Sequence, residues 1–124
     1  MSYQYDLIAI GGGSGGVAAA RRAAKHGAKC AVVEYDRMGG TCVNRGCVPK
    51  KIMWYAAHIA HTVGDVSGYG FDVEKKGFDW SKLVADREAY IVRLNKIYET
   101  NLKNENVEIL NGHGSLLDLS LIHI

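Results

Sequence analysis

The chain has 124 residues, of which 48% are apolar and 23% are charged, and this composition favours one folded domain over a disordered segment. A formal net charge of +2, with Lys and Arg scattered along the chain, excludes the basic patch of a nucleic-acid-binding protein. No apolar run approaches the roughly 18 residues of a membrane span, and the first residues lack a signal-peptide or transit-peptide pattern. We therefore expect a cytoplasmic protein with neither a membrane nor a nucleic-acid partner.

The opening of the chain predicts a βαβ unit. Residues 5–10 form a short apolar run that indicates a buried parallel strand, and residues 17–26 are rich in the helix formers Ala, Arg and Lys. Gly27 stands where a glycine commonly ends a helix. Residues 30–34 form a second apolar strand that closes on an acid. This order and length are typical of parallel β-strands joined by a crossover helix.

The middle of the chain predicts a second helix and a loop. Residues 42–63 have a helical pattern that we expect to be interrupted early, by Gly46 and Pro49. Residues 64–77 contain four glycines and indicate a loop, in which we expect residues 69–71 to pack inward.

The last predicted elements are a long helix over residues 80–104 and a third short strand over residues 107–110. Apolar residues of the long helix fall near one face at helical spacing, namely Leu83, Val84, Ile91, Leu94, Ile97 and Tyr98. The expected fold is therefore an α/β, Rossmann-like βαβ domain with a long helical pair after the cysteines.

The first glycine cluster matches the pattern G-x-G-x-x-G at Gly11, Gly13 and Gly16. Such glycines allow a tight turn, a close approach of backbone to a pyrophosphate, and close packing of the helix on the strand. Glu34 follows Gly13 by 21 residues and ends the second strand, where an acid can accept hydrogen bonds from ribose hydroxyls. A carboxylate there repels a 2′-phosphate, so the site suits FAD or NAD better than NADPH. The alternative is an ordinary glycine turn.

Two of the three cysteines, Cys42 and Cys47, are five residues apart. In a regular α-helix their Cα atoms would lie roughly 8.6 Å apart, too far for a disulfide, which needs less than about 7 Å. Gly46 stands where a distortion could shorten this distance, and a strained, accessible disulfide would be redox-active. The alternatives are free structural cysteines and half of a zinc site. Cys30 lies inside a strand and is expected to be a core residue.

Residues 39–51, GGTCVNRGCVPKK, resemble the redox-disulfide signature of the class I pyridine nucleotide-disulfide oxidoreductases. Residues 5–34 resemble the FAD-binding unit of the same family, and the resemblance extends from residue 4 to about residue 114. Within the family, residues 48–51 resemble the branches that reduce glutathione, trypanothione and thioredoxin, and residues 53–54, 78–80 and 93–102 resemble the branch that reduces glutathione disulfide. The alternatives are a thioredoxin-reducing relative, a non-catalytic FAD-binding fragment and a plain NAD-binding dehydrogenase domain.

The resemblance implies a role for each matching position. Cys42 would attack the substrate disulfide, Cys47 would face the flavin ring, and Lys50 would stabilise negative charge beside them. The residues implied in cofactor binding are Gly11, Gly13, Ser14, Gly15, Gly16, Glu34, Thr41, Cys42, Lys50 and Gly114. The residues implied in contacting glutathione are Ser14, Arg21 and Tyr98. We predict no metal ligand and no catalytic histidine.

The implied reaction carries electrons from NADPH to FAD, then to the Cys42–Cys47 disulfide, and finally to glutathione disulfide, which maintains cell redox homeostasis. Family members act as homodimers and bind NADPH in a further domain. We expect residues 1–114 to be the N-terminal part of an FAD-binding domain and residues 115–124 to be an atypical, non-native tail. The NADPH and dimer-interface domains would be absent, and the chain alone would be an inactive fragment.

Overall fold

The computed structural model describes residues 3–118 and the backbone of residues 122–123. The largest sheet in this part of the chain has three parallel strands in the order β1-β2-β3, which are Leu7–Ile10, Cys30–Glu34 and Glu108–Asn111. Leu7 pairs with Cys30, and Ala31 pairs with Glu108. Strand β2 is therefore the central strand, and every one of its residues is buried.

Four α-helices accompany the sheet within the described residues. They are α1 (Ser14–Lys25), α2 (Gly40–Asn44), α3 (Cys47–Asp65) and α4 (Trp80–Asn104). A 3₁₀ turn over Val66–Tyr69 follows α3, and the short strands β4 (Ser115–Leu116) and β5 (Ile122–His123) pair in antiparallel fashion. The Rossmann-like α/β fold and the helical pair after the cysteines are confirmed.

Helix α1 connects β1 to β2 and packs on the sheet. Its ends match local sequence signals, because Gly13 precedes its first residue and Gly27, with a φ of 91°, follows its C-cap. Its buried residues Val17 and Ala20 join a core cluster with residues from β2, the loop after it, α4 and the segment before β3. The other members of that cluster are Cys30, Val32, Met38, Leu102 and Val107.

Several sequence predictions of local structure are confirmed and others are wrong. Strand β1 is only half-buried, and Ile10 is 52% exposed, because β1 lies at the edge of the sheet rather than inside it. Pro49 does not interrupt a helix. It is the third residue of α3, where the proline's missing N–H would have had no partner in the helix.

The loop before α4 also differs from the prediction. Tyr69 and Phe71 are 82% and 64% exposed, so they do not pack inward. Helix α4 has the predicted bounds and begins at an Asp79 N-cap whose side chain accepts a hydrogen bond from the Lys82 backbone N–H. In the part of the chain that the structure describes, no helix is both long and apolar enough to span a membrane.

We predict that Gly16→Ala destabilises the fold by at least about 2 kcal/mol. A Cβ at Gly16 would lie 2.1 Å from the Gly11 carbonyl oxygen, and neither backbone can move without separating α1 from β1. The measurement is the free energy of unfolding in urea.

The matched control for this prediction is Gly15→Ala, because a Cβ at Gly15 meets nothing within 4 Å. It should change stability by less than about 1 kcal/mol, since alanine is the better helix former. Equal losses in the two variants would contradict the packing role of Gly16.

Candidate functional site

The glycine loop after β1 leaves the N-terminus of α1 open. The Gly11 N–H donates to the Val33 carbonyl oxygen over 2.8 Å, which holds the loop on β2. No side chain caps α1, and its first turn contains no acidic residue. The first N–H groups of a helix have no partner inside it and lie at the positive end of its dipole, so this end of α1 favours an anion such as a pyrophosphate. Ser14 and Gly15 are exposed there.

Glu34 lies at the end of β2 beside this loop, and its side chain is part of the loop structure. One carboxylate oxygen accepts a 2.7 Å hydrogen bond from the Gly12 N–H. The other oxygen accepts from the N–H groups of Tyr35 and Asp36, each over 2.9 Å. A carboxylate has about four acceptor positions, so Glu34 keeps capacity for one more donor, such as a ribose hydroxyl.

A second loop, between β2 and α2, touches the first at its glycines. The Gly39 N–H donates to the Gly12 carbonyl oxygen over 2.8 Å. Gly39 and Gly40 have φ angles of 108° and 62°, and a Cβ at Gly40 would lie 2.7 Å from the Gly13 Cα. A side chain at position 40 would therefore push the two loops apart.

The two loops enclose a cleft of about 310 Å³. Its lining contains Gly11, Gly13, Glu34, Tyr35, Asp36, Arg37, Gly40, Thr41, Asn44 and Arg45. The cleft combines an uncapped helix N-terminus, a ribose-type acceptor at Glu34 and bare glycine backbone. These features fit the adenosine and pyrophosphate part of a dinucleotide such as FAD.

The two cysteines lie on opposite sides of a helix break. Cys42 belongs to α2, and Cys47 is the first residue of α3. Gly46 occupies the break with φ −121° and ψ −110°, and a Cβ there would lie 3.0 Å from the Thr41 carbonyl oxygen and 3.3 Å from the Cys42 Cα. The break therefore brings the end of α3 against α2, as the sequence led us to expect of Gly46. Both cysteines are free thiols in the structure.

The pKa of Cys42 responds to both Cys47 and Lys50. A hydrogen bond with the Cys47 side chain raises the pKa of Cys42 above its ordinary value, and partial burial raises it further. The Cys47 backbone N–H and the Lys50 charge act in the opposite direction. Cys47 is the first residue of the 19-residue α3.

The remaining predicted cofactor residues lie around these two features. Thr41 lines the cleft and immediately precedes Cys42. Lys50 is exposed on the first turn of α3, one turn after Cys47. Gly114 is not part of the cleft lining, and a Cβ there would lie 3.3 to 3.5 Å from side-chain atoms of Ile10 and Val33, over the ends of β1 and β2.

The structure does not bring the predicted substrate residues together into one evident binding site. The Arg21 guanidinium binds the Glu105 carboxylate through two hydrogen bonds of 2.8 and 2.6 Å, and this pairing lowers the pKa of Glu105. A substrate carboxylate would have to compete with Glu105 for Arg21. Tyr98 packs against the core cluster described above. A role for Ser14, Arg21 and Tyr98 in substrate binding stays a prediction.

Two contacts in this region belong to no sequence motif and could not be predicted. Asn44 and Asn95 form a buried hydrogen bond between α2 and α4. Tyr35 and His113 stack with ring centroids 4.2 Å apart at the rim of the cleft. The pattern of polar residues at helix positions 44 and 95 was visible in the sequence, but nothing in it showed that the two would meet.

Comparison with known proteins gives a consistent result. A family model described as pyridine nucleotide-disulphide oxidoreductase matches residues 5–121. Three similar proteins carry the name glutathione reductase. The protein of Yarrowia lipolytica is 50% identical, and the match covers 97% of this chain and 27% of the relative's own length. The protein of Debaryomyces hansenii is 54% identical, with 88% of this chain and 24% of the relative covered. The protein of Schizosaccharomyces pombe is 50% identical, with 94% of this chain and 26% of the relative covered. The chain thus spans about a quarter of the length of these relatives.

We predict that Gly46→Ala weakens disulfide formation between Cys42 and Cys47 by about tenfold, because the added methyl group would press on Thr41 and Cys42 and move α3 away from α2. The measurement is the equilibrium of the pair in glutathione redox buffers, followed by mass spectrometry after acid quenching.

Gly64→Ala is the control for Gly46→Ala, because Gly64 lies in the same helix and a Cβ there meets nothing within 4 Å. It should leave the equilibrium unchanged. If Gly46→Ala also left it unchanged, the helix break would not be what brings the thiols together.

Proposed function

The chain belongs to the pyridine nucleotide-disulphide oxidoreductase family, and on that premise we propose that a protein carrying it reduces glutathione disulfide with NADPH. The observation that carries the proposal is the placement of Cys42 and Cys47 on the two sides of the helix break at Gly46, next to a cleft whose features fit a dinucleotide. The relatives named glutathione reductase support glutathione disulfide as the substrate.

The residues of the cleft fit the FAD that this family uses. The backbone of Gly11, Gly13 and Gly15 would hold the pyrophosphate with the N-terminus of α1, and Ser14 and Gly16 would complete that turn. Glu34 would accept from the ribose, and Gly114 would lie near the adenine. Thr41, Cys42 and Lys50 would face the flavin end. When bound, FAD supplies the transfer of electrons from NADPH to the Cys42–Cys47 disulfide.

The reduced pair then acts by thiol–disulfide exchange. The Cys42 thiolate attacks one sulfur of glutathione disulfide, so that a bond between Cys42 and one glutathione forms and the other glutathione leaves as a thiolate. The Cys47 thiolate next attacks the Cys42 sulfur, which restores the Cys42–Cys47 disulfide and releases the second glutathione. Each turnover consumes the two electrons that the disulfide had received.

The protonation of Cys42 controls the first step of this exchange. Its hydrogen bond with Cys47 raises the pKa of Cys42 and so favours the thiol form, which is a poor nucleophile. The Lys50 charge and the Cys47 backbone N–H favour the Cys42 thiolate instead. We infer that Lys50 assists catalysis by this electrostatic effect, without itself bonding to the substrate.

The proposal extends to the organisation of the protein. Residues 1–114 would provide the FAD-binding unit and the redox disulfide. In a protein of the relatives' length, NADPH would bind outside these residues, and the active form would be a homodimer in the cytoplasm.

We predict that Cys42→Ser and Cys47→Ser each abolish NADPH-dependent reduction of glutathione disulfide in the complete flavoprotein, because each removes one of the two sulfurs that exchange. The measurement is NADPH consumption with glutathione disulfide, and in parallel with oxidised thioredoxin.

The control is Cys30→Ala, since Cys30 is buried in β2 and belongs to the core cluster. It should retain turnover, with a loss of stability only. Turnover of thioredoxin without turnover of glutathione disulfide would contradict the proposed substrate, and activity in the Cys42 and Cys47 variants would contradict the proposed chemistry.

A further inference from the structure

We propose that Asn44 and Asn95 are positioning residues that set the redox equilibrium of the Cys42–Cys47 pair. The inference rests on the proposed function, since it concerns the same disulfide, and it assigns a role to two side chains that contact neither sulfur. Asn44 is the last residue of α2 and lies between the two cysteines in the sequence.

The side-chain amide of Asn44 closes the loop that precedes α2. Its Nδ2 donates to the carbonyl oxygens of Arg37 and Gly40, each over 3.0 Å, and lies 3.5 Å from the Met38 carbonyl oxygen. These carbonyls belong to the segment that leads from the cleft to the cysteines. A single amide group therefore fixes the shape of that segment from within.

Asn95 ties this closed loop to the long helix α4. Its Nδ2 donates to the Asn44 Oδ1 over 2.8 Å and to the Met38 carbonyl oxygen over 2.7 Å. The two side chains are 9% and 6% exposed, so water competes little for these bonds. The Arg37–Glu88 ion pair of 2.6 Å is a second link between the same loop and α4, but it is more exposed.

The hydrogen bonds of Asn44 matter because residues 40–47, which contain both cysteines, could adopt another conformation. If α2 were free, it could join α3 in one regular helix, where the Cα atoms of Cys42 and Cys47 would be roughly 8.6 Å apart. The asparagine pair holds the C-terminal end of α2 to α4, while α3 begins anew at Cys47. It thereby keeps the two cysteines on either side of the break at Gly46 and favours the disulfide over the dithiol.

The test uses Asn44→Asp and Asn95→Leu in the complete protein. The first change keeps the shape of the side chain but replaces the donor amide by a group that repels the three carbonyl oxygens. The second change removes the tie to α4, which is the donation from the Asn95 Nδ2 to the Asn44 Oδ1 and the Met38 carbonyl oxygen. It also removes the Asn95 Oδ1, a buried acceptor with no hydrogen-bond partner in the described structure, so that this variant should still fold.

The readout is the Cys42–Cys47 equilibrium in glutathione redox buffers, measured on FAD-free protein by mass spectrometry, with circular dichroism to verify folding. Each variant should shift the equilibrium about tenfold toward the dithiol, which corresponds to a rise of about 30 mV in the disulfide's potential. The controls, Asn104→Asp and Asn104→Leu, make the same chemical changes at an exposed position on α4 and should cause no shift.

The outcomes separate this inference from the proposed function. A wild-type protein that forms no reversible Cys42–Cys47 disulfide would overturn the proposed function, and this inference with it. A reversible disulfide whose equilibrium is unchanged in folded Asn95→Leu would overturn this inference alone. A shift in Asn95→Leu that the Asn104 variants lack would support it, whether or not Asn44→Asp folds.

Discussion

The close contact between two glycine loops is the constraint on which the rest of the site depends. The loop after β1 precedes the uncapped N-terminus of α1, and the loop after β2 leads to the cysteines. They meet where Gly40 passes Gly13 so closely that a Cβ would lie 2.7 Å from the neighbouring Cα, and where Gly39 donates to Gly12. Because a side chain at Gly40 would push the two loops apart, this contact keeps the cleft and the cysteine pair in a fixed relation to each other.

The helix break at Gly46 determines how Cys42 and Cys47 lie relative to each other. A continuous helix would separate the two sulfurs, whereas the break at Gly46 starts α3 at Cys47 and puts its positive end beside the thiol pair. The buried asparagine pair then connects α2 to α4, so this segment is supported by a long helix rather than by solvent-exposed contacts alone.

Features that depend only on neighbouring residues in the chain can be predicted from the sequence. The bounds of β2 and α4, the glycine that ends α1 and the break at Gly46 all follow from apolar periodicity or from the special conformations of glycine. Burial was harder to predict, because it depends on which elements meet. The apolar run of β1 and the aromatic residues Tyr69 and Phe71 were expected inside, but the first lies at a sheet edge and the others are exposed.

The same limit applies to the site. The spacing of Gly11, Gly13 and Glu34 predicts their meeting in one cleft, since a βαβ unit brings the ends of parallel strands together. No spacing rule links Asn44 to Asn95 or Arg21 to Glu105, because those contacts join helices that are far apart in the sequence. Arg21 is an example, because its guanidinium can bind a substrate carboxylate but already binds the carboxylate of Glu105.

The central claim is that electrons from NADPH reach the Cys42–Cys47 pair through the flavin. The most direct measurement is a count of accessible thiols in the complete, oxidised flavoprotein before and after anaerobic addition of NADPH, with the modified residues identified by mass spectrometry. The account predicts two new thiols, at Cys42 and Cys47, and none when FAD has been removed. Reduction of the flavin with no change in the thiol count would contradict it.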